Sequence, residues 1–263
     1  MANKKDRLIK YLCSLDSAII AFSGGTDSSL LSFLAKKYCK KCLAVTVNSP
    51  LLTKKELIKS KKIAKIIGIN QKILDIDPLC QREFRKNPKN RCYLCKKFIF
   101  KALIKLKEED GFFHLLDGTN FNDLGKHRPG LKALSELGIN SPFAETKIGR
   151  KDITSWLKQL GLENFISPSS ACLASRIPYG ISIDKKKLAM VENAEELLFN
   201  LGFSQVRVRY HPPLARIEVG KHQIHKAMQE ETRAKITQGL KKAGFKYVTL
   251  DLEGFRSGSL DEY

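Results

Sequence analysis

The stretch Ser17-Ala18-Ile19-Ile20-Ala21-Phe22-Ser23-Gly24-Gly25-Thr26-Asp27-Ser28 decides the fold of this chain. Its apolar first half predicts a buried strand, and the apolar spacing between Leu30 and Leu34 predicts a helix directly after it. Glycines between a strand and a helix let backbone N–H groups approach a phosphate, and the helix N-terminus adds positive potential. The serine hydroxyls supply further donors. The stretch therefore predicts a phosphate-binding loop at the end of a central strand.

The same alternation of strand and helix continues along the first half of the chain. The apolar patterns predict strands over 17–22, 42–47, 72–76 and 112–117, and helices over 28–38, 53–67 and 92–108. Strands that alternate with helices indicate an α/β fold with a doubly wound parallel sheet. Ligands of such sheets bind at the carboxyl ends of the strands.

The pattern changes after the loop at 167–170. Helices are predicted over 184–201 and 222–242, strands over 205–210, 214–219 and 247–252, and a turn at His211-Pro212-Pro213 joins the first two strands as a hairpin. A small C-terminal α+β domain follows from this order. The sequence thus predicts two domains, 1–170 and 171–263.

The loop at Ser23 resembles that of the PP-loop ATP pyrophosphatases, whose Ser-Gly-Gly-x-Asp-Ser motif binds pyrophosphate. No Gly-Lys-Ser/Thr motif is present, so transfer of a γ-phosphate is not expected. By this resemblance Asp117-Gly118-Thr119-Asn120 and the strand end at Val47 also contact the nucleotide, and Asp27 either binds Mg²⁺ or orients the loop. The expected ATP-binding residues are Ser23, Gly24, Gly25, Thr26, Asp27, Ser28, Val47, Gly118, Thr119 and Asn120.

Seven cysteines are present, and three of them stand in distinctive contexts. Cys92 and Cys95 have C-x-x-C spacing at the start of a predicted helix, where positive charge favours thiolates. Cys172 lies in Pro168-Ser169-Ser170-Ala171-Cys172. Zinc and iron–sulfur sites both use C-x-x-C, but three cysteines without a matching fourth ligand fit a [4Fe–4S] cluster with one open iron. The alternative is two ordinary helix cysteines and an unrelated third.

The whole chain resembles one branch of the PP-loop superfamily, the ATP-dependent sulfur insertases called LarE. The resemblance includes Arg91-Cys92-Tyr93 and Gly125-Lys126-His127-Arg128-Pro129-Gly130. It continues through 168–180 and 207–211 to the run 250–259, Leu-Asp-Leu-Glu-Gly-Phe-Arg-Ser-Gly-Ser.

The family resemblance implies a reaction. ATP adenylates a carboxylate of pyridinium-3,5-biscarboxylic acid mononucleotide, pyrophosphate leaves, and sulfur converts the adenylate to a thiocarboxylate for the nickel-pincer nucleotide cofactor. Some members have only the cysteine that matches Cys172 and sacrifice its sulfur to become dehydroalanine. Because Cys92 and Cys95 are also present, this chain resembles the type that holds a [4Fe–4S] cluster on three cysteines.

Further roles follow from resemblance and chemistry together. Arg207 and Arg209, two apart on a strand, share a face and suit the substrate's phosphate. Arg176 is expected to pair with a carboxylate or phosphate, Lys96 to counter charge on the adenylate or substrate, and Glu195 to act in proton transfer. Together with Cys172, Cys92 and Cys95, Lys96 and Glu195 form the expected catalytic set. The segment 146–154 is given no role.

The formal net charge of +20 admits a polyanionic partner or substrates that carry several phosphates, but lysines spread over solvated helix faces also account for it. A PP-loop tRNA thiolation enzyme is the main alternative function. An ammonia-using amidotransferase and a non-catalytic ATP or cluster carrier are weaker alternatives. Nucleic acid is not the expected partner because no arginine–aromatic cluster of the RNA-binding kind is present.

No signal peptide or membrane-spanning stretch is evident, which predicts a cytoplasmic enzyme without a membrane partner. The resemblance implies a homo-oligomer, a hexamer, that works with other proteins of nickel-pincer cofactor biosynthesis.

Overall fold

A computed structural model describes residues 3–125, 129–168, 171–256 and 258–259. Within these ranges the chain forms seven strands and twelve α-helices. In chain order they are α1 (Lys4–Cys13), β1 (Ser17–Ala21), α2 (Thr26–Tyr38), β2 (Lys41–Asn48), α3 (Lys54–Ile67), β3 (Gln71–Asp75), α4 (Arg82–Arg85), α5 (Arg91–Glu109), β4 (His114–Leu116), α6 (Phe121–Leu124), α7 (Pro129–Glu136), α8 (Pro142–Glu145), α9 (Arg150–Gln159), α10 (Lys185–Asn200), β5 (Val206–His211), β6 (Leu214–Val219), α11 (Ile224–Met228), α12 (Glu230–Lys242) and β7 (Tyr247–Leu250).

The residue contacts divide the chain into two units: Met1–Pro78 with Asn90–Ser170, and Leu79–Lys89 with Ala171–Tyr263. Residues 79–89 thus group with the second unit, whereas the sequence predicts a first domain over 1–170. Asn87 accounts for the difference, because its buried side-chain amide donates to the carbonyls of Ile177, Pro178 and Ile181 at 3.2, 2.7 and 3.0 Å. Gly180 N–H returns a bond to the Asn87 carbonyl at 3.0 Å.

The first unit is built on a parallel sheet with strand order β3-β2-β1-β4. Alternate side chains of β1 point to opposite faces of the sheet. Ile20 packs in one apolar cluster with residues of α1, α2 and α9, whereas Ile19 packs in another with Phe100 and Leu103 of α5. Both faces of the sheet are thus covered, as an all-parallel sheet requires, and the predicted doubly wound α/β fold is confirmed.

The second unit carries the small sheet β5-β6-β7. Strands β5 and β6 form the predicted hairpin, antiparallel with Arg209 opposite Arg216, and β7 lies parallel to β6. The turn between β5 and β6 contains a cis Pro212–Pro213 bond. The sheet side chains that face the core, such as Val208 and Ile217, are fully or nearly fully buried.

The helix predicted over 222–242 is divided in the structure. Gln229 has φ −58° and ψ 138°, an extended conformation that ends α11 and begins α12. Glu230 and Glu231 follow it in the first turn of α12, where negative charge favours a helix N-terminus. Among the residues described, no helix is long and apolar enough to cross a membrane.

Candidate active site

The nucleotide loop begins after β1 and turns through a left-handed residue. Gly24 has φ +69°, a conformation that residues with a Cβ rarely adopt. A Cβ on Gly24 would lie 2.8 Å from the Cα atom of Ser60 in α3. Backbone conformation and close packing therefore both demand glycine, and they fix the path of the loop against α3.

Hydrogen bonds of the serine hydroxyl groups stabilise the turn of the loop. Ser28 Oγ accepts from the Ser23 N–H at 3.3 Å and lies 3.2 Å from Ser23 Oγ. Gly25 N–H donates to Ser23 Oγ at 3.3 Å. Helix α2 begins at the next residue, and its N-cap Gly25 has no side chain to occupy the first N–H groups. Unoccupied N–H groups at a helix N-terminus are what phosphate sites use, and binding of phosphate here stays a prediction.

Asp27 carries the negative charge of the loop and is held by two side chains. Arg150 Nη1 donates to Asp27 Oδ1 at 2.7 Å, and Asn120 Nδ2 donates to Oδ2 at 3.1 Å. Burial raises the pKa of Asp27 above its ordinary value, and the charge of Arg150 opposes that rise. Each carboxylate oxygen accepts one hydrogen bond here and has a second lone pair, and binding of Mg²⁺ by Asp27 stays a prediction.

Thr26 turns its hydroxyl away from the loop and into the protein. Its side chain is almost fully buried, and Oγ1 donates to the carbonyls of Phe165 and Ser167 at 3.2 and 3.3 Å. The Ser167 N–H and Arg150 Nη2 each donate back to Thr26 Oγ1 at 3.0 Å. The Thr26 side chain therefore anchors the start of α2, which leaves its backbone N–H as the group available to a nucleotide.

The segment after β4 lies directly beside the loop. A Cβ on Gly118 would be 3.0 Å from the Ser28 nitrogen, so the two backbones are in contact there. Asn120 caps α6, accepting from the Asn122 N–H at 3.0 Å while its amide binds Asp27. The structure thus brings together two segments about ninety residues apart that the sequence assigned to one nucleotide site.

Asp117 organises the rest of this segment and links it to Lys96. The carboxylate accepts from Thr119 N–H and Oγ1 at 3.1 and 2.7 Å and from Ser141 Oγ at 2.6 Å. Lys96 Nζ on α5 lies 3.5 Å from Asp117 Oδ2. Val47, near the end of β2, is half-buried and packs against the apolar cluster that contains Phe100 and Leu103 of α5. Direct roles for Lys96 and Val47 stay predictions.

In the second unit, Arg176 and Glu195 form a buried, two-pronged ion pair. Arg176 Nε and Nη2 donate to the two Glu195 oxygens at 2.9 and 3.0 Å, with both side chains no more than 5% exposed. Glu195 also accepts from the Val208 N–H at 3.1 Å. Removing one partner of such a pair costs about 3–5 kcal/mol because a buried charge is left alone. Proton transfer by Glu195 stays a prediction, and any such role competes with this pairing.

Arg209 is likewise committed to a carboxylate of the protein. Its Nε and Nη2 donate to Glu218 at 3.0 and 2.9 Å, and Nη2 also donates to Ser259 Oγ at 3.0 Å. Arg207, on the same strand face, lies over the Phe255 ring at 5.3 Å. Binding of the substrate's phosphate by these arginines stays a prediction.

Both buried arginines also hold the segment that contains Cys172. Arg176 Nη1 donates to the carbonyls of Ala171 and Cys172, the latter at 2.8 Å. Arg209 Nη1 donates to the Ser175 carbonyl at 3.0 Å. The Cys172 thiol is exposed. Two paired arginines therefore fix the backbone around an accessible thiol.

The seven cysteines are all outside disulfides and differ in environment. Cys92 and Cys95 lie one turn apart in the first turns of α5, exposed and half-buried respectively. Burial raises the pKa of Cys39 to about 12 and also raises that of Cys42, which suits inert thiols. Across the described ranges, no three His, Cys, Asp or Glu side chains form a group that could hold a metal ion.

Comparison with known proteins places these features in a family. The chain is 36% identical to the pyridinium-3,5-bisthiocarboxylic acid mononucleotide synthase of Lactiplantibacillus plantarum, over all of this chain and 95% of that protein. The chain belongs to the LarE family. It is therefore an enzyme, a sulfurtransferase of the PP-loop superfamily.

Other proteins also match the chain. Uncharacterized proteins of Synechocystis sp. and Methanocaldococcus jannaschii are each 38% identical, over 99% and 91% of this chain and 98% and 90% of their own lengths. Residues 17–86 match the family described as queuosine biosynthesis protein QueC. That shorter match covers the first strand, the nucleotide loop and β2, the part of the site that a LarE protein shares with its superfamily.

The structure adds residues to this LarE site that the sequence analysis missed. Arg150 and Ser141 contact the nucleotide segments, and Ser259 joins the Arg209–Glu218 pair. A signal for Arg150 was available, since it opens a helix capped by Asp152, but nothing in the chain links position 150 with position 27. Several residues that carried the resemblance, 126–128, 169–170 and Ser257, lie outside the described residues.

Proposed function

We propose that this protein adenylates the carboxylates of pyridinium-3,5-biscarboxylic acid mononucleotide with ATP and converts them to thiocarboxylates. The observation that carries the proposal is the match along the whole chain to the named synthase, because the nucleotide loop alone fits every PP-loop reaction. The product named there is the bisthiocarboxylic acid, so the same step would be performed twice.

The first step prepares the electrophile at the nucleotide loop. A substrate carboxylate oxygen attacks the α-phosphorus of ATP, the bond to the bridging oxygen breaks, and pyrophosphate leaves. Backbone N–H groups at Gly25 and the start of α2 would bind the departing phosphates and stabilise their growing charge. Lys96, beside Asp117, would counter the charge of the acyl adenylate.

The second step delivers sulfur to the activated carbon. A hydrosulfide attacks the acyl carbon, a thiocarboxylate forms, and AMP leaves with the bonding electrons. Cys92 and Cys95, a turn apart on one helix, and the exposed Cys172 are the residues that would hold a [4Fe–4S] cluster, although the described side chains do not form a metal-binding group of three in this structure. Such a cluster, when held by these residues, would supply the sulfide that is transferred.

The buried arginines would act chiefly by positioning. Arg176 and Arg209 are each paired with a glutamate and each bind a carbonyl near Cys172. We infer that they present the thiol, and that Arg207 is the arginine of the strand that meets the substrate's phosphate. We also propose that the protein is cytoplasmic, forms a homo-oligomer, a hexamer, and works with other proteins of nickel-pincer biosynthesis. The family alone supports these three proposals.

The acceptor is tested by measuring pyrophosphate release with ATP and Mg²⁺ in the presence of the biscarboxylic nucleotide, of total tRNA, or of neither. We expect release to rise about 100-fold or more only with the nucleotide, as a substrate-dependent chemical step requires. Release that depends on tRNA, with thiolated tRNA as product, would establish the tRNA thiolation alternative. An amide in place of the thiocarboxylate would establish the amidotransferase.

A further inference from the structure

Arg150 occupies an unusual place for a cation. It is the first residue of α9, where the helix dipole disfavours positive charge. Its guanidinium donates to Asp27 Oδ1 at 2.7 Å and to Thr26 Oγ1 and the Ser167 carbonyl at 3.0 Å each. The residue thus joins three segments, and two of its contacts are with the nucleotide loop itself.

Within the part of the chain that the structure describes, these contacts engage only some of the guanidinium donors. Arginine has five N–H donors, and the three contacts engage one N–H of Nη1 and both of Nη2. The side chain is 37% exposed, compared with 20% for its partner Asp27. The Arg150 side chain is therefore partly open to solvent while its guanidinium binds Asp27 and Thr26.

We propose that Arg150 binds the pyrophosphate portion of ATP in this site and neutralises Asp27 when no nucleotide is bound. The inference rests on the proposed function, in which this loop receives ATP and releases pyrophosphate. Guanidinium groups bind phosphate oxygens in a planar, two-pronged geometry. A nucleotide on the N-terminus of α2 would bring its phosphates to the loop that Arg150 already contacts.

The charge balance of the loop supports this role. Asp27 places a negative charge one residue into α2, next to the site where phosphates carry several more. Without Arg150, binding of ATP would bring these like charges together. Arg150 lowers that repulsion, and its preference for the more highly charged ligand makes it selective for ATP over AMP.

The test compares Mg²⁺-bound α,β-methylene ATP with AMP by calorimetric titration of the full chain. For Arg150→Ala we expect about 10- to 100-fold weaker binding of the ATP analogue, the range of a lost charged hydrogen bond, with AMP changed less than about 3-fold. Arg150→Lys should recover part of the loss, and Arg150→Gln should recover little, because charge is the deciding property. The matched control is Lys151→Ala, the exposed cation next along α9, which should change neither affinity.

Equal weakening of the ATP analogue and AMP in Arg150→Ala, or rescue by Arg150→Gln as good as by Arg150→Lys, would show that Arg150 only supports the loop and would overturn the proposal. An effect of Lys151→Ala as large as that of Arg150→Ala would overturn it too. The titrations contain no acceptor substrate. A wrong assignment of the carboxylated nucleotide would therefore appear in turnover and leave these affinities unchanged.

Discussion

Gly24→Ala is expected to lower ATP-dependent pyrophosphate release by about 100-fold or more, because a displacement of about 1 Å in a positioned site has effects of that size. The left-handed φ of +69° would be strained by any Cβ. That Cβ would also lie 2.8 Å from the Ser60 Cα atom, and a helix backbone cannot move aside as a side chain can. The loop itself must shift, which displaces the N–H groups that bind phosphate.

A matched control separates the clash from the backbone strain. Gly111, between α5 and β4, has nearly the same φ of +68°, but its added Cβ would meet no atom within 4 Å. Gly111→Ala should therefore lose stability through strain, about 1–2 kcal/mol, and keep its catalytic rate. Pyrophosphate release and thermal unfolding are measured for both variants. Equal activities of the two variants would contradict the proposed packing of the loop.

Cys172→Ala is expected to abolish thiocarboxylate formation while pyrophosphate release in a single turnover stays within about 3-fold of wild type, since the two readouts report different steps. The nucleotide loop lies in the first unit, and in the proposed function it prepares the electrophile without this thiol. Cys172 lies in the second unit, in a segment held by Arg176 and Arg209, and in the proposed function it takes part in the sulfur chemistry.

Cys80 provides the control for Cys172, because it is another exposed cysteine of the second unit's residues. Cys80→Ala should leave both steps unchanged. The reaction is followed by mass spectrometry of the nucleotide and by release of labelled pyrophosphate. If the Cys172→Ala variant made thiocarboxylate at the wild-type rate, other residues would have to carry out the sulfur chemistry. Loss of both steps would mean that Cys172 also serves adenylation.

The first unit was largely predictable because its signals are local. A continuous apolar run such as that of β1 indicates burial on both faces, and Ile19 and Ile20 do enter separate clusters. The loop at Ser23 follows from glycines at a strand end, and parallel strands bring their carboxyl ends to one edge. That rule explains why Gly118 and Asn120 lie beside the loop that contains Asp27, and their binding of ATP stays a prediction.

The missed features depend on tertiary contacts between distant positions. Arg150 meets Asp27 across 123 residues, and Asn87 joins 79–89 to the second unit through three carbonyls that no sequence pattern identifies. The charged residues of the second unit looked free to bind substrate. Their pairing, Arg176 with Glu195 and Arg209 with Glu218, follows from burial, which demands a partner for each charge.

The origin of the transferred sulfur tests the account most directly. The protein is purified without oxygen, loaded with iron and sulfide, and given ATP and the biscarboxylic nucleotide, and the masses of product and protein are then measured. We expect a product that has gained sulfur and a peptide around Cys172 whose mass is unchanged. A Cys172 peptide that has lost the mass of hydrogen sulfide, and so carries dehydroalanine, would contradict delivery of sulfide from a cluster on Cys92, Cys95 and Cys172.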